Sequence, residues 1–460
     1  MPHEGFSYAK PKREVSPARR AALSLGTKIR ERDAFAHDVL EAHLDDERLS
    51  ASDRAFASLL VLGVVACKGT LDELIDLVVD KPKNLQPQVR DALRISVYEL
   101  YFLDKDTHAA VDQGVELVRS IAPKAAGLAN AVLRRLAKMR VDFPFGNPHE
   151  DISACARLHA FPVWLAKRLI DELGFQNAWK LMEASNESAP LFIAENAIKG
   201  DDDRVVEALR TAGAQVKPVS STVCDLQGCY YVDTGRVLRD KKVKRLLSEG
   251  AFLVADASSQ TVARIALGDD GTKSMLEIGA GRATKTILIQ SDAYRAYGRQ
   301  TDLTSLDNMA FKVRLAKKRA SEYGVELADA IVGDGTKLDA VLGDKQFDTV
   351  FIDAPCTGLG TLRRHPEIRW RIKPASVENM AALGYRLIEN ASEHVAPGGK
   401  LVYATCTVTR EENTGVIARF LKSHAGADFK LELIGGKPCF AGLLSKGSPD
   451  AHFAAVLRRI

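Results

Sequence analysis

Ser274-Met-Leu-Glu-Ile-Gly-Ala-Gly-Arg-Ala-Thr-Lys-Thr286 is a short apolar run that breaks into a glycine-containing loop and then into a helical stretch. Gly279 and Gly281 permit a tight turn and let the backbone approach a ligand at a helix N-terminus. Further short apolar runs follow at Tyr294–Tyr297, Ala330–Val332, Thr349–Ile352 and Lys400–Tyr403, separated by helical stretches such as Leu306–Tyr323 and Ala375–Val395. This alternation predicts a mostly parallel, doubly wound α/β sheet of Rossmann-like type over residues 251–460. Ligands bind such sheets at the carboxyl ends of the strands, so the chemistry is expected just after each run.

Upstream the pattern changes. Over residues 18–140, apolar positions recur at three- and four-residue spacing, as in Leu59, Leu62, Gly63 and Ala66 and again in Leu93, Val97, Leu100 and Tyr101. Ser52-Asp53 and Asp72 mark helix starts, and Pro82, Pro87 and Pro123 mark joins. A compact all-helical domain is expected there, behind a basic tail of residues 1–17. The turn-rich Phe143-Pro-Phe-Gly-Asn-Pro148 reads as a linker. An amphipathic helix from Pro162 to Ala184 and a mixed region after it predict a small α+β module within residues 141–250.

The chain has 460 residues, 46% of them apolar and 27% charged, which excludes disorder over most of its length. The longest strongly apolar run, Leu59 to Cys67, falls short of the roughly 18 residues a membrane helix needs. Met1 to Arg20 is polar and basic with no apolar stretch of a secretory signal, so a cytoplasmic protein that does not meet a membrane is expected. The net charge of +4 is too small to argue for nucleic acid. Its distribution says more. Lys312, Arg314, Lys317, Lys318 and Arg319 form one basic cluster, and Arg363, Arg364, Arg369, Arg371 and Lys373 a second. Two such patches could follow a phosphate backbone, or simply face solvent. The seven cysteines are scattered, and Cys224 and Cys229 have no second pair nearby to complete a zinc tetrahedron. No metal site is expected.

The second strand, on this reading, ends at Asp302, a carboxylate placed to hold a ribose hydroxyl pair; Asp334, after the third, could reach an adenine amino group. A nicotinamide enzyme would show much the same loop and carboxylate. The fourth and fifth strands, however, each end in a cysteine, in Asp353-Ala-Pro-Cys-Thr-Gly358 and Ala404-Thr-Cys-Thr407. Consecutive strands in this half of the sheet are neighbours, so Cys356 and Cys406 should face one pocket. A thiol beside a methyl donor suits carbon 5 of cytosine. A thiolate adding to carbon 6 turns carbon 5 into an enamine carbon able to attack a sulfonium methyl, after which a proton leaves carbon 5 and the thiol is expelled. A second thiol could help that release, Asp353 could bond the N3 and N4 edge, and the base must be unstacked to be reached.

Asp353-Ala-Pro-Cys-Thr-Gly358, Arg363-Arg-His-Pro-Glu-Ile-Arg-Trp370 and Ala404-Thr-Cys406 resemble the RsmB/Sun family of RNA cytosine-5 methyltransferases. The helical domain resembles NusB through Ser52-Asp-Arg-Ala-Phe56, Tyr98-Glu-Leu-Tyr-Phe-Leu103, Ala110-Val-Asp-Gln113 and Gly127-Leu-Ala-Asn-Ala-Val-Leu-Arg-Arg135. The resemblance implies an all-α NusB-like domain ahead of a class I methyltransferase domain, and S-adenosylmethionine-dependent methylation of 16S ribosomal RNA by a monomer. It implies Cys406 as nucleophile and Cys356 as the thiol that assists release. It further implies S-adenosylmethionine contacts from Gly279, Ala280, Gly281, Arg282, Ala283, Thr284, Lys285, Asp302, Asp334 and Asp353. The family loop usually reads Cys-Ala-Ala-Pro-Gly-Gly-Lys, so Gly279-Ala-Gly-Arg-Ala-Thr-Lys285 is closer to a generic methyltransferase loop. Thr407 replaces the usual Ser, and Glu195 replaces an Arg often found before Asn196. A non-catalytic RNA-binding factor on a degenerate methyltransferase fold is the alternative, and cofactor binding separates the two.

Overall fold

A computed structural model describes residues 14–43, 49–103, 105–200, 202–269 and 271–460. The tail expected over residues 1–17 thus lies, up to residue 13, outside the described residues. The chain forms two compact units. Of the described residues, one unit holds those up to Arg168 together with Arg364–Arg371, and the other those of Leu169–Arg363 and Ile372–Ile460.

The first unit is helical. Its opening helix, Pro17–Arg32, begins where the Ser16 side chain accepts the Arg19 N–H, with proline in the first turn. Ser50 caps the longest helix, Ala51–Val78, in the same way. That helix is long and apolar enough to cross a membrane by length and composition. Leu60, Leu71, Leu74 and Ile75 along it are nevertheless fully buried in the core of this unit. Helices Pro87–Phe102, Thr107–Ile121 and Ala126–Met139 pack with them in the same core.

Residues 364–371 join this bundle from far along the sequence, and they correct the reading of 361–373 as a basic face. Arg369 is fully buried, its guanidinium 4.3 Å from the Phe161 ring and donating to the carbonyls of His159 and Ala160 at 3.4 and 3.2 Å. Burial lowers its pKa to about 10, so it keeps its charge. Trp370 donates its indole N–H to the Ala66 carbonyl at 2.8 Å, Glu367 accepts the Ala36 N–H at 2.7 Å, and Arg371 lies over Phe35. These side chains are spent on protein carbonyls and rings. The sequence shows only their charge, which says nothing of burial.

The amphipathic stretch from Pro162 to Ala184 is two helices, Val163–Leu173 and Phe175–Ala184, broken at Gly174 with φ +75°, and the second unit begins within the first of them. Strands β1 (Leu191–Glu195), β2 (Val216–Pro218), β3 (Cys229–Val232) and β4 (Phe252–Val254) form an antiparallel sheet of order β2-β3-β1-β4. Helices Asp202–Thr211 and Lys241–Ser248 cover it, burying Val205, Leu209, Val243 and Leu246 against Ile193 and Phe252. The α+β module is present. Asn196 donates to the carbonyls of Gly250 and Tyr323, both at 2.8 Å, and so serves as a strut after the buried Glu195.

The remaining strands are β5 (Ser274–Ile278), β6 (Asp302–Asp307), β7 (Asp329–Val332), β8 (Phe347–Asp353), β9 (Val395–Thr405), β10 (Phe429–Glu432), β11 (Phe440–Ala441) and β12 (Phe453–Arg459). They make one sheet of order β10-β12-β9-β8-β5-β6-β7, with β11 on β12. Pairing from β9 through β8, β5 and β6 to β7 is parallel, and β12 and β10 add antiparallel. The chain runs outward from β5 to β7 and then returns to β8 on the other side of β5. That reversal is the switch point at which such sheets open a crevice.

One element differs from expectation. Tyr294–Tyr297 is the last turn of a helix, Thr284–Tyr297, closed by Gly298 at φ +66°. The true second strand is Asp302-Leu-Thr-Ser-Leu-Asp307, and the helix expected from Leu306 starts at Ala310. Thr304 and Ser305 are buried within that strand, so its inside position is not visible as an apolar run.

The seat of residues 364–371 can be tested at Gly69. A Cβ there would lie 2.1 Å from the Trp370 ring. Gly69→Ala is expected to displace the indole and cost about 1–3 kcal/mol, as overpacking does, lowering Tm in calorimetry by a few degrees. An unchanged Tm would mean that Trp370 does not rest on this helix.

Candidate functional site

The loop after β5 is built to receive a ligand. Gly279 has φ +86°, and a Cβ on it would come 2.5 Å from the Asp353 carbonyl oxygen. Gly281 has φ +56° and Ala283 φ +61°. Gly279 and Ala280 donate to the Leu306 carbonyl at 2.8 and 3.2 Å, which lays the loop across the end of β6. The helix that follows begins at Thr284 with no side-chain cap, so its first N–H groups have no side-chain acceptor.

The carboxylate facing this loop is Asp307. Its Oδ2 accepts the Gly281 N–H at 3.1 Å and its Oδ1 the Met309 N–H at 3.0 Å. Asp302 does not reach it. Asp302 opens β6, paired with Ser274 at the start of β5, and five residues of strand put it roughly 16 Å from Asp307. The misplacement follows from the missed strand, because moving the strand onto residues 302–307 exchanges its ends. Asp334 does lie beyond β7, exposed, its Oδ1 accepting from the Thr336 N–H and hydroxyl at 2.9 and 2.8 Å. These bonds from Thr336 hold its carboxyl below the usual range. Arg282 gives its carbonyl to Arg319, which also reaches Thr284. One residue of the first basic cluster is therefore a brace for the loop.

The two thiols meet as expected. Asp353 pairs with Ala404 across β8 and β9, and the Cys356 and Cys406 sulfurs stand 3.4 Å apart. Their pKa values are pushed in opposite directions. The bond from the Cys356 thiol, aided by the nearby Lys285 ammonium, brings Cys406 below the usual thiol value against burial. The same bond, with burial, raises Cys356 well above it. Lys285 donates to Asp353 at 2.7 Å. Burial opposes its charge, but Asp353 more than compensates and its pKa is raised. Behind it, burial pushes Glu277 up to about 7, although Thr286 donates to it at 2.5 Å.

Glu412 and Asn413 belong to this site and were not anticipated. Glu412 is 1% exposed and accepts the Thr357 N–H, the Thr357 hydroxyl and the Thr409 hydroxyl, each at 2.7 Å, with the Thr407 hydroxyl at 3.3 Å. Asn413 accepts from the Thr405 hydroxyl at 2.6 Å and donates to the Thr407 carbonyl at 3.0 Å. The available signal was a Glu-Glu-Asn run just past Cys406, ahead of a new helix.

Residues 265–437 match the profile of the 16S rRNA methyltransferase RsmB/F family, residues 16–138 that of the NusB family, and residues 161–225 the ferredoxin-like domain of RsmF/B-like methyltransferases. A Mycobacterium tuberculosis protein named as a methyltransferase is 32% identical, with 98% of each chain covered. This chain belongs to the RsmB/F family of ribosomal RNA methyltransferases. The ribosomal RNA small subunit methyltransferase B of Yersinia enterocolitica is 28% identical over 83% of this chain and 84% of its own. In fold, the crystal structure of PH0851 matches 97% of this chain and 100% of its own at a TM-score of 0.76 and 22% identity. The Pyrococcus horikoshii NSun6, crystallised with SFG, matches 66% of this chain and 99% of its own at 0.54 and 18% identity.

The enzyme is S-adenosylmethionine-dependent, and the loop fits that cofactor. The close approach at Gly279, the uncapped helix start and the Asp307 carboxylate are what a nucleoside carrying a charged amino-acid chain requires. Asp307→Ala is expected to weaken S-adenosylmethionine binding at least tenfold by calorimetry, while Asp302→Ala binds as the unmodified chain does. Equal losses in the two variants would put the ribose elsewhere.

Proposed function

We propose that this rRNA methyltransferase acts on carbon 5 of a cytosine in 16S rRNA, with Cys406 adding to carbon 6. The observation that carries the reading is the 3.4 Å sulfur pair with its divided acidities. A thiolate is the nucleophile and a thiol is the hydrogen donor, and one of each at a strand-end pocket is what addition followed by elimination needs.

The Cys406 sulfur bonds to carbon 6, and the displaced electron pair makes carbon 5 nucleophilic. S-adenosylmethionine, when bound, supplies a methyl group made electrophilic by its sulfonium. As carbon 5 bonds to that methyl, the methyl–sulfonium bond would break with its electron pair left on the sulfur, and the carbon 5 proton then passes to a water molecule acting as base. The carbon–sulfur bond breaks, returning its electrons to Cys406, with the Cys356 S–H donating to the departing thiolate. Asp353, oriented by Lys285, accepts from the base's amino edge. The loop from Gly279 to Lys285, with Asp307 and Asp334, holds the cofactor. The NusB-like helices of residues 18–140 and the module of residues 141–250 contact the RNA, and residues 251–460 carry the chemistry.

Cys406→Ala is expected to abolish methyl transfer. Cys356→Ala, incubated with S-adenosylmethionine and unmodified 16S rRNA, should leave a ribonuclease-sensitive shifted band on a denaturing protein gel. That band should vanish in the double variant; normal turnover by Cys356→Ala would refute the release role. Single-turnover rates should rise with pH through a midpoint below the ordinary thiol value of about 8.5, because protonation below that midpoint removes the nucleophile. A midpoint at or above the ordinary value would mean that Cys406 is an ordinary thiol.

A further inference from the structure

We infer that Glu412 is a positioning residue that bolts the two cysteine loops together and thereby keeps the Cys406 thiolate supplied with its hydrogen bond from Cys356. The inference rests on the covalent reading above and deepens it. Thr357 directly follows Cys356, and Thr407 directly follows Cys406. Both bind the one carboxylate, and their hydroxyls stand 2.8 Å from each other.

Counting protons shows why the residue must be an acid. Glu412 faces three hydroxyl groups and one backbone N–H. The Thr357 hydroxyl has one proton, and its 2.7 Å contact with Glu412 uses it. The Thr407 proton then goes to the Thr357 oxygen or to Glu412, and the Thr409 proton goes to Glu412 at 2.7 Å. Only a group with acceptors on both oxygens takes all of these. An amide would present an N–H₂ to one set of donors and leave that side of the bolt open. The residue itself is fixed from its own backbone, since the Tyr403 hydroxyl donates to the Glu412 carbonyl at 2.8 Å. Asn413 holds Thr405 and Thr407 on either side of Cys406. The Cys406 loop is thus tied down by two adjacent residues, whereas on the Cys356 side the tie is to Thr357.

Charge and geometry make opposite demands on Cys406, which allows them to be separated. As a bare negative charge, Glu412 raises the pKa of both thiols, and removing it should make Cys406 a stronger acid. As a bolt, Glu412 holds the Cys356 S–H against the Cys406 sulfur, and removing it should make Cys406 a weaker acid. The other charged groups bearing on Cys406 are Lys285 and Asp353, and neither bonds to Glu412.

The test is the pH dependence of Cys406 alkylation by iodoacetamide, read by peptide mass spectrometry in the full chain without RNA. In Glu412→Gln the midpoint should move upward and the rate at pH 7 should fall about tenfold, matching one pH unit of midpoint shift. Thr357→Val, which leaves the charge in place, should move it the same way, and Thr357→Ser should restore it. S-adenosylmethionine affinity should stay within twofold in each variant, which shows that the sheet is intact, while kcat falls and KM for the cofactor does not. A downward shift in Glu412→Gln, or no shift in both Glu412→Gln and Thr357→Val, overturns the inference. If Cys406 of the unmodified chain already titrates as an ordinary thiol, it is the covalent reading that fails, and the two failures are distinguishable.

Discussion

The parallel pairing of β8 between β5 and β9 is the constraint on which the site depends. It places the loop of Gly279 to Lys285, Asp353 with Cys356, and Cys406 at three adjacent strand ends. Each of these strands is buried, with Leu276, Val350, Phe351, Leu401 and Val402 fully covered, so a register shift would drag apolar side chains onto the wrong face. The sulfur separation is therefore set by the same packing that sets the core. What the sheet leaves undetermined is the path of the two loops beyond the strand ends, and there the buried Glu412 and Asn413 take over.

The pocket also shows how a low-dielectric site divides charge among neighbours. Lys285 is held charged by Asp353, and Glu277 behind it is pushed toward neutrality by burial. Cys406 is favoured as an anion by a hydrogen bond and a nearby ammonium, while Cys356 is pushed the other way by the same bond. The two thiols are the same residue type a few ångströms apart, yet their surroundings push their acidities in opposite directions.

Much of this was readable in the residues. The strand ends carrying Cys356 and Cys406 stood out because each apolar run is short, β-branched or aromatic, and closed by a functional motif. The glycine loop was readable because positive φ requires glycine at Gly279 and Gly281. Asp307 was hidden because β6 buries Thr304 and Ser305, so the strand resembled a polar stretch and the apolar end of the preceding helix was mistaken for it. Glu412 was hidden for another reason. A buried carboxylate is recognised by the hydroxyls around it, and three of its partners are threonines whose direction no linear pattern gives. The arginines of residues 361–373 show the same limit, since a buried guanidinium over a ring and a solvated one have the same one-letter spelling.

The helical unit is discontinuous in sequence, and that fixes an order of assembly. Its last pieces, Glu367, Arg369 and Trp370, are made about 200 residues after Phe161 and about 300 after Ala66, the partners they meet. A chain growing from its N-terminus reaches Trp370 when β5 to β8 have been synthesised and β9 to β12 have not. The bundle waits with Gly69 and the Phe161 ring uncovered until then.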